Sequence, residues 1–464
     1  MNIDRIKTTI SKTDGLAGWL LRRVESEATT VIRLPGIYTA EDGKFVRHEN
    51  PWPREVINAP GEEVWITVWA RHAKDGVEYM GEATGQFVSD DETSVQGTLA
   101  ALLAAARTQP NKPFSLADKS MVYPQVELAD PKLIDATRPE LVERAQWFSD
   151  EVLKATAAEA GVDVSNLEIF IRRYRTRLET GTGIRADFNT TRADAEVCFI
   201  ARLEGKVAEH TTRPHARRFE DLDPKRLVAT NAGIARGIAQ AGPPPQYEGP
   251  VVVAGEAAHD FMGLGSQPLA FHCSARGVYE KMSRYRKGEP VTGELPVTGD
   301  AVTVFSDPLV PFGPGSQGVS QGDATPARRI ALLKDGRYDE LFGSLRYYDY
   351  LGLTAAGLKP SGTLGNTVVP AGKAKAGDLL DTGKVVVVRA FSDFRADDAS
   401  GDFASEIRLG EVRENGKVTQ FKGGLLIGNW FTALADVRLS AETVALDGYY
   451  GPAAIRVGSL KVAG

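Results

Sequence analysis

Cysteine is nearly absent from this 464-residue chain. Only Cys198 and Cys273 occur, neither with a close partner, which excludes a disulfide framework and fits a reducing compartment. Long apolar runs are missing too. The longest, Leu99–Ala106, falls far short of the ~20 residues that cross a bilayer, so no membrane role is expected. Basic charge is not in excess: Lys plus Arg total 55 against 61 Asp plus Glu, a net charge of −6. Nucleic-acid binding usually needs a clustered basic footprint, and none is present. Arg172-Arg173-Tyr174-Arg175 and Arg217-Arg218 are short runs that a solvated sheet face explains. The opening MNIDRIKTTISKTD is polar with mixed charge and does not read as a signal peptide, so the expected location is cytoplasmic. No fixed-period repeat or low-complexity tail is visible.

What is present is mixed α and β structure. Val64–Trp69 alternates as a strand, Asp75-Gly76 is a hairpin turn, and Val77–Val88 returns beside it. Ser94–Arg107 reads as a helix of Ala and Leu. A second helix starts at Pro139 and stops at Gly161. Leu167–Glu179, Gly183–Asn189 and Ala195–Leu203 are strands, and Asp223-Pro224 opens another helix. The breaker Gly242-Pro243-Pro244-Pro245 predicts a boundary between an N-terminal α/β domain (1–245) and a C-terminal, largely antiparallel β-rich domain (246–464). In the latter, Ala301–Phe305, Arg328–Leu333, Val385–Ala390, Glu406–Val412, Lys417–Phe421 and Ile455–Val462 read as strands. Trp430–Val437 reads as a helix. The fold class is α+β.

Chemistry concentrates at Pro250–Phe261. The run Val251-Val252-Val253 passes through Ala254-Gly255 into Glu256-Ala257-Ala258-His259, a strand handing over to a helix with a carboxylate and an imidazole on its first turn. Hydrolytic zinc enzymes place a His immediately before such a Glu and another about a turn later. Here the preceding residue is Gly255. Glu256 and His259 share a helix face, and they are the candidate catalytic residues, of vestigial type.

Several phrases, in order, carry a resemblance. They are Thr180-Gly181-Thr182-Gly183-Ile184, Tyr247–Val253 followed by Glu256-Ala257-Ala258, and Thr325-Pro326-Ala327-Arg328-Arg329 with its Asp335-Gly336 hairpin. Leu351-Gly352-Leu353 with Ser361-Gly362, Ser400-Gly401-Asp402-Phe403 with Glu414-Asn415-Gly416, and the closing Ser459–Gly464 complete the series. Over roughly residues 165–464 the chain resembles the TldD/PmbA family, also called modulator of DNA gyrase. The resemblance implies two related chains. A TldD type binds zinc with an HExxxH helix and a late Cys, and a PmbA/TldE type lacks those ligands and pairs with it to form a peptidase. Aligned on Glu256, Gly255 and Asp260 stand at the two His positions, and Leu446–Ala453, at the late Cys, contains no Cys. Catalytic zinc wants about three protein ligands and an open position. No metal site and no cofactor are therefore expected in this chain, with zinc in a TldD-type partner.

Other candidates have plainer readings. A rearranged Glu256/His259/Asp260 site, with His272 added, competes with simple polar residues at a helix start. Cys273 reads as a small core residue. His210 and His215 read as surface loop residues. Gly313–Gly318 lacks the Lys-Ser/Thr of a phosphate loop, and Tyr347–Tyr350 reads as packing. Gly423–Asn429 is either an edge for an extended peptide or a tight bend in a closed sheet. The leading expectation is a non-catalytic subunit of a two-chain zinc peptidase acting on unfolded or small peptides. The alternatives are a peptide-binding or scaffolding homodimer and a stand-alone hydrolase at Glu256/His259/Asp260.

Overall fold

Long antiparallel strands build the N-terminal half of the computed structural model, which describes residues 1–35, 37–41, 44–48, 54–380 and 383–464. In chain order these are β1 (Gly18–Arg33), β2 (Arg54–Lys74), β3 (Val77–Phe87), β4 (Val162–Thr180), β5 (Arg185–Leu203) and β6 (Lys206–Thr212). They lie side by side as β3-β2-β1-β4-β5-β6. Asp75-Gly76 and Glu204-Gly205 form their tight turns with positive φ at both residues, the geometry that favours Asp-Gly in two-residue hairpins. The central strand, β1, has no counterpart among the sequence expectations. Its middle, Arg23–Thr29, lacks alternation because its charges are paired: Glu27 with Arg173 and Arg23 with Glu62 across strands, and Glu25 with Arg23 along β1 itself. Of the Arg172–Arg175 run, Arg173 and Arg175 lie on this ionic face, Arg175 pairing with Asp187 at 2.7 Å, while Arg172 lies on the opposite face and pairs with Asp194.

Helices α1 (Ile3–Ser11) and α2 (Glu92–Ala106) pack on each other, and α2 lies on β2 and β3. Helix α3 (Arg138–Ala157) begins one residue before the expected Pro139, capped reciprocally by Thr137 and Glu140. Helix α4 (Pro224–Gln240) is capped by Asp223, which accepts from the Lys225 and Arg226 amides. Together α3 and α4 bury Leu141, Phe148, Val152, Val228 and Ala232 against Ile169, Ile171, Val197 and Phe199 of β4 and β5. Each of these side chains larger than alanine contributes roughly 1.5–3 kcal/mol of burial.

The C-terminal half closes on itself. Strand β7 (Tyr247–Ala254) runs parallel to β8 (Val385–Phe391) and antiparallel to the last strand. Strands β9 (Asp402–Glu414), β10 (Leu425–Asn429) and β11 (Ala454–Ala463) complete the circuit β7-β8-β9-β10-β11-β7. The parallel pair is covered on both faces, which is why its sequence reads as unbroken valine rather than as alternation. Gly423–Asn429 is thus no free edge: β10 sits between β9 and β11, and Gly423 and Gly424 make the bend before it with φ +76 and +75. The Trp430 helix is shorter than its apolar run suggests, ending at Ala433 and continuing as a 3-10 turn to Asp436. A second sheet beside the barrel includes Asn366–Val368, Thr443–Leu446 and Tyr449–Pro452. The whole is an α+β fold. Among the described residues, no helix is long and apolar enough to cross a membrane.

Candidate functional site

Strand β7 delivers the candidate residues. It ends at Ala254, and Gly255 turns the chain with φ +63 and ψ −118 into α5 (Glu256–Met262). That conformation is nearly closed to residues with a Cβ. The Gly255 N–H donates to the carbonyl of Ala453 at 2.9 Å, tying the turn to the end of the Leu446–Ala453 segment. At its far end α5 is pinned by buried Trp430, whose Nε1–H donates to the carbonyl of Phe261 at 2.9 Å. Phe261 itself packs against Phe394 and Phe403. Glu256, His259 and Asp260 consequently face one cavity of about 1310 Å³, bounded also by α4, by residues 213–223 and by residues 443–448.

Two carboxylate–imidazole pairs line it. His259 Nδ1 lies 3.0 Å from Asp260 Oδ1, and His215 Nδ1 lies 3.0 Å from Asp447 Oδ1. Glu256 stands between them without a hydrogen-bond or ion-pair partner among the described residues. Burial, with the charges of Asp260 and Asp447 adding and His259 opposing, pushes its pKa up to about 7. Burial works against a charged His259, but its hydrogen bond with Asp260 and the neighbouring carboxylates outweigh this, and its pKa is raised. The arrangement holds a proton-exchanging carboxylate beside an oriented imidazole.

A catalytic zinc does not fit these residues. Gly255 offers no donor, and its Cβ direction is open space, so the obstacle to a histidine there is backbone conformation rather than crowding. The segment aligned with the late cysteine does fold onto α5: Tyr449 packs edge-on against His259 with ring centroids 6.2 Å apart. It is a buried phenol, however, whose hydroxyl donates to the carbonyl of Pro452 and whose pKa burial raises. Among the described residues no group of three or more His, Cys, Asp or Glu side chains is placed to hold a metal.

The remaining candidates lie elsewhere. His272 does not join the cavity; its ring bonds the carbonyl of Ala399 and the amide of Arg284. Cys273 is fully buried and its thiol pKa is raised by burial, the behaviour of a core residue. His210 is not on the surface. It lies on β6, 5 % exposed, and its ring bonds Asn231 of α4 at 2.9 Å. The first part of the apparent loop, Glu209–Thr212, is the end of β6 packed under α4, which its Thr-rich polarity concealed. His215 and Asp447 were missed as site residues. The Asp447-Gly448 dipeptide, both residues at positive φ, is a hairpin signal that could have placed Asp447 at an exposed tip.

Strand β7, the Gly255 turn and α5, set against a closed barrel, carry Glu256 and His259 without a metal-ligand set among the described residues. Residues 246–464 match the family described as the PmbA/TldA metallopeptidase C-terminal domain. That match covers just under half of the chain, whose C-terminal part is thus similar to this family. Three solved structures share the fold. A protein from Bacteroides thetaiotaomicron, described as a candidate modulator of DNA gyrase, is 13% identical with a TM-score of 0.76, covering 100% of this chain and 98% of its own. Another so described, from Thermotoga maritima, is 18% identical with a TM-score of 0.74, covering 99% of each chain. TldE from Thermococcus kodakarensis is 14% identical with a TM-score of 0.75, covering 100% of this chain and 99% of its own. No curated protein matches the sequence.

Proposed function

We propose that this chain is the metal-free subunit of a two-chain zinc metallopeptidase. Its partner is a homologous chain with an intact HExxxH helix, and its substrates are unfolded or small peptides. The observation that carries this reading is Gly255. The residue that would ligate zinc is replaced by one whose φ of +63 builds the absence of a ligand into the backbone. Tyr449, buried against His259, supports it from the other side of the site. Without a metal to lower the pKa of water, Glu256 alone does not generate a strong nucleophile at neutral pH. In this reading Glu256 and His259 are remnants of a catalytic helix, residues 1–245 and 246–464 are separate domains, and the complex works in the cytoplasm.

The test is zinc content and hydrolysis of an unfolded peptide by this chain alone, by its HExxxH homologue from the same genome, and by the mixture. Zinc and activity that need the homologue support the assignment. Stoichiometric zinc with hydrolysis in the lone chain overturns it.

A further inference from the structure

Phe312 stands where local geometry calls for glycine. The Gly313 N–H donates to the carbonyl of Val310 at 3.0 Å, closing a tight turn with Pro311 and Phe312 at its corner. Proline at the first corner position and positive φ at the second describe a turn whose second corner residue is normally glycine. Phe312 has φ +54, a conformation that a bulky side chain adopts only under strain. The surroundings enforce it. Its N–H donates to the carbonyl of Glu127 at 2.8 Å, and Arg217 clamps the carbonyls of the next two residues, Gly313 and Pro314. Packing does not repay this strain: the half-buried ring joins no hydrophobic cluster among the described residues. It lines the cavity instead, together with Pro311, Pro314 and Arg218. The Arg218 guanidinium lies over the ring, its carbon 4.9 Å from the centroid. Asp221 holds that guanidinium in place, accepting from Nε at 3.0 Å and from Nη2 at 2.7 Å.

We propose that Phe312 and Arg218 form a subsite for one aromatic side chain of the substrate, which makes Phe312 a specificity-determining residue. A ring entering here meets another ring and a guanidinium whose orientation is already set. Both surfaces favour an aromatic partner over an aliphatic one of similar size. An anionic partner is disfavoured, because Asp221 and Glu220 already neutralise Arg218. Strain at the turn is then the cost of holding the Phe312 ring on the cavity wall rather than in the core. The subsite rests on the peptide substrates proposed above and adds the side chain that they carry.

Calorimetric titration of the full-length chain with acetyl-Ala-Phe-Ala-amide and acetyl-Ala-Leu-Ala-amide tests it. Both ends are capped, so the two probes differ in one side chain only. The phenylalanine peptide is expected to bind roughly three- to tenfold more tightly, the usual worth of one aromatic or cation–π contact. Phe312→Gly should erase that difference and leave the urea midpoint unchanged or raised, since glycine relieves the turn. Equal binding of the two peptides to the unaltered chain, or no binding of either at millimolar concentration, overturns the subsite. Hydrolysis by the mixture with the HExxxH homologue is scored separately, so the two-chain reading survives or fails on its own result. A Phe312→Gly chain that loses stability would assign the ring to packing and overturn the subsite as well. The comparison of the two peptides uses the unaltered chain, so it decides the matter even where the variant fails to fold.

Discussion

The imidazole of His215 and the carboxylate of Asp447 meet at 3.0 Å across the cavity. They join the segment that follows the N-terminal sheet to a hairpin tip of the C-terminal half. Asp447 also acts at a distance, raising the pKa of both Glu256 and His259. Asp447→Asn should therefore lower both values while leaving the His259–Asp260 bond in place. Carboxyl and imidazole NMR titrations of the folded chain check this. A Glu256 that still titrates near 7 in the variant would mean that burial and Asp260 alone set its value.

Gly255 yields a second expectation. Restoring a histidine at this position does not rebuild a zinc site, because the backbone at φ +63 and ψ −118 accepts a Cβ only under strain. Gly255→His should lose on the order of 1–3 kcal/mol of stability and purify without stoichiometric zinc. Urea unfolding and metal analysis of the same preparation read both effects. A stable variant carrying one zinc per chain would show that the turn relaxes and that the missing side chain was the only defect.

Gly255 also illustrates what was legible in the sequence. The three valines before it, the helix after it and the missing ligand were all readable, because local periodicity and donor chemistry are written in adjacent residues. The positive φ was not, since a glycine permits it without requiring it. Strand β1 escaped for a different reason: its polarity is compensated by Arg173 and Glu62, partners 146 and 39 residues away from Glu27 and Arg23. The pairing of His215 with Asp447 is of the same kind. Long-range ionic contacts leave no period in either segment, so the polar wall of the cavity could not be assembled from sequence.

Glu256 makes the pH dependence of stability specific. Its folded pKa, about 7, lies above the ordinary value of 4.5, so the folded chain binds the proton more tightly than the unfolded one. Stability should fall as pH rises from about 4.5 to 7, and then level off, by up to about 3 kcal/mol at 1.36 kcal/mol per unit. The raised pKa of His259 acts in the same direction, its contribution being lost as pH rises through the folded value. Glu256→Gln should thus be more stable than the parent at pH 8 and nearly equal to it at pH 4.5. Urea unfolding at the two pH values gives the comparison. A variant less stable at pH 8 would show that the carboxylate has a partner in solution.

Arg217 holds the wall behind His215. Its guanidinium, buried enough to bring its pKa down to about 10, still carries its charge at neutral pH. It donates to four carbonyls: Gly313 at 2.8 Å, Leu128 at 3.0 Å, Pro314 at 3.1 Å and Ser316 at 2.7 Å. These belong to two segments distant in sequence, so one side chain fastens the Gly313–Ser316 loop and the irregular segment at Leu128 to the turn after His215. The planar fork of donors is what reaches acceptors splayed in several directions, which a lysine ammonium on a single stem does not reproduce. Arg217→Met removes the donor to the Pro314 and Ser316 carbonyls, while those of Leu128 and Gly313 keep the Thr191 and Ser316 amides, and should cost roughly 3 kcal/mol. Arg217→Lys should recover only a minor part of the loss. Denaturant unfolding of the two variants separates charge from geometry: full recovery by lysine would assign the stabilisation to the charge alone, and failure of both assigns it to the four-fold hydrogen bonding.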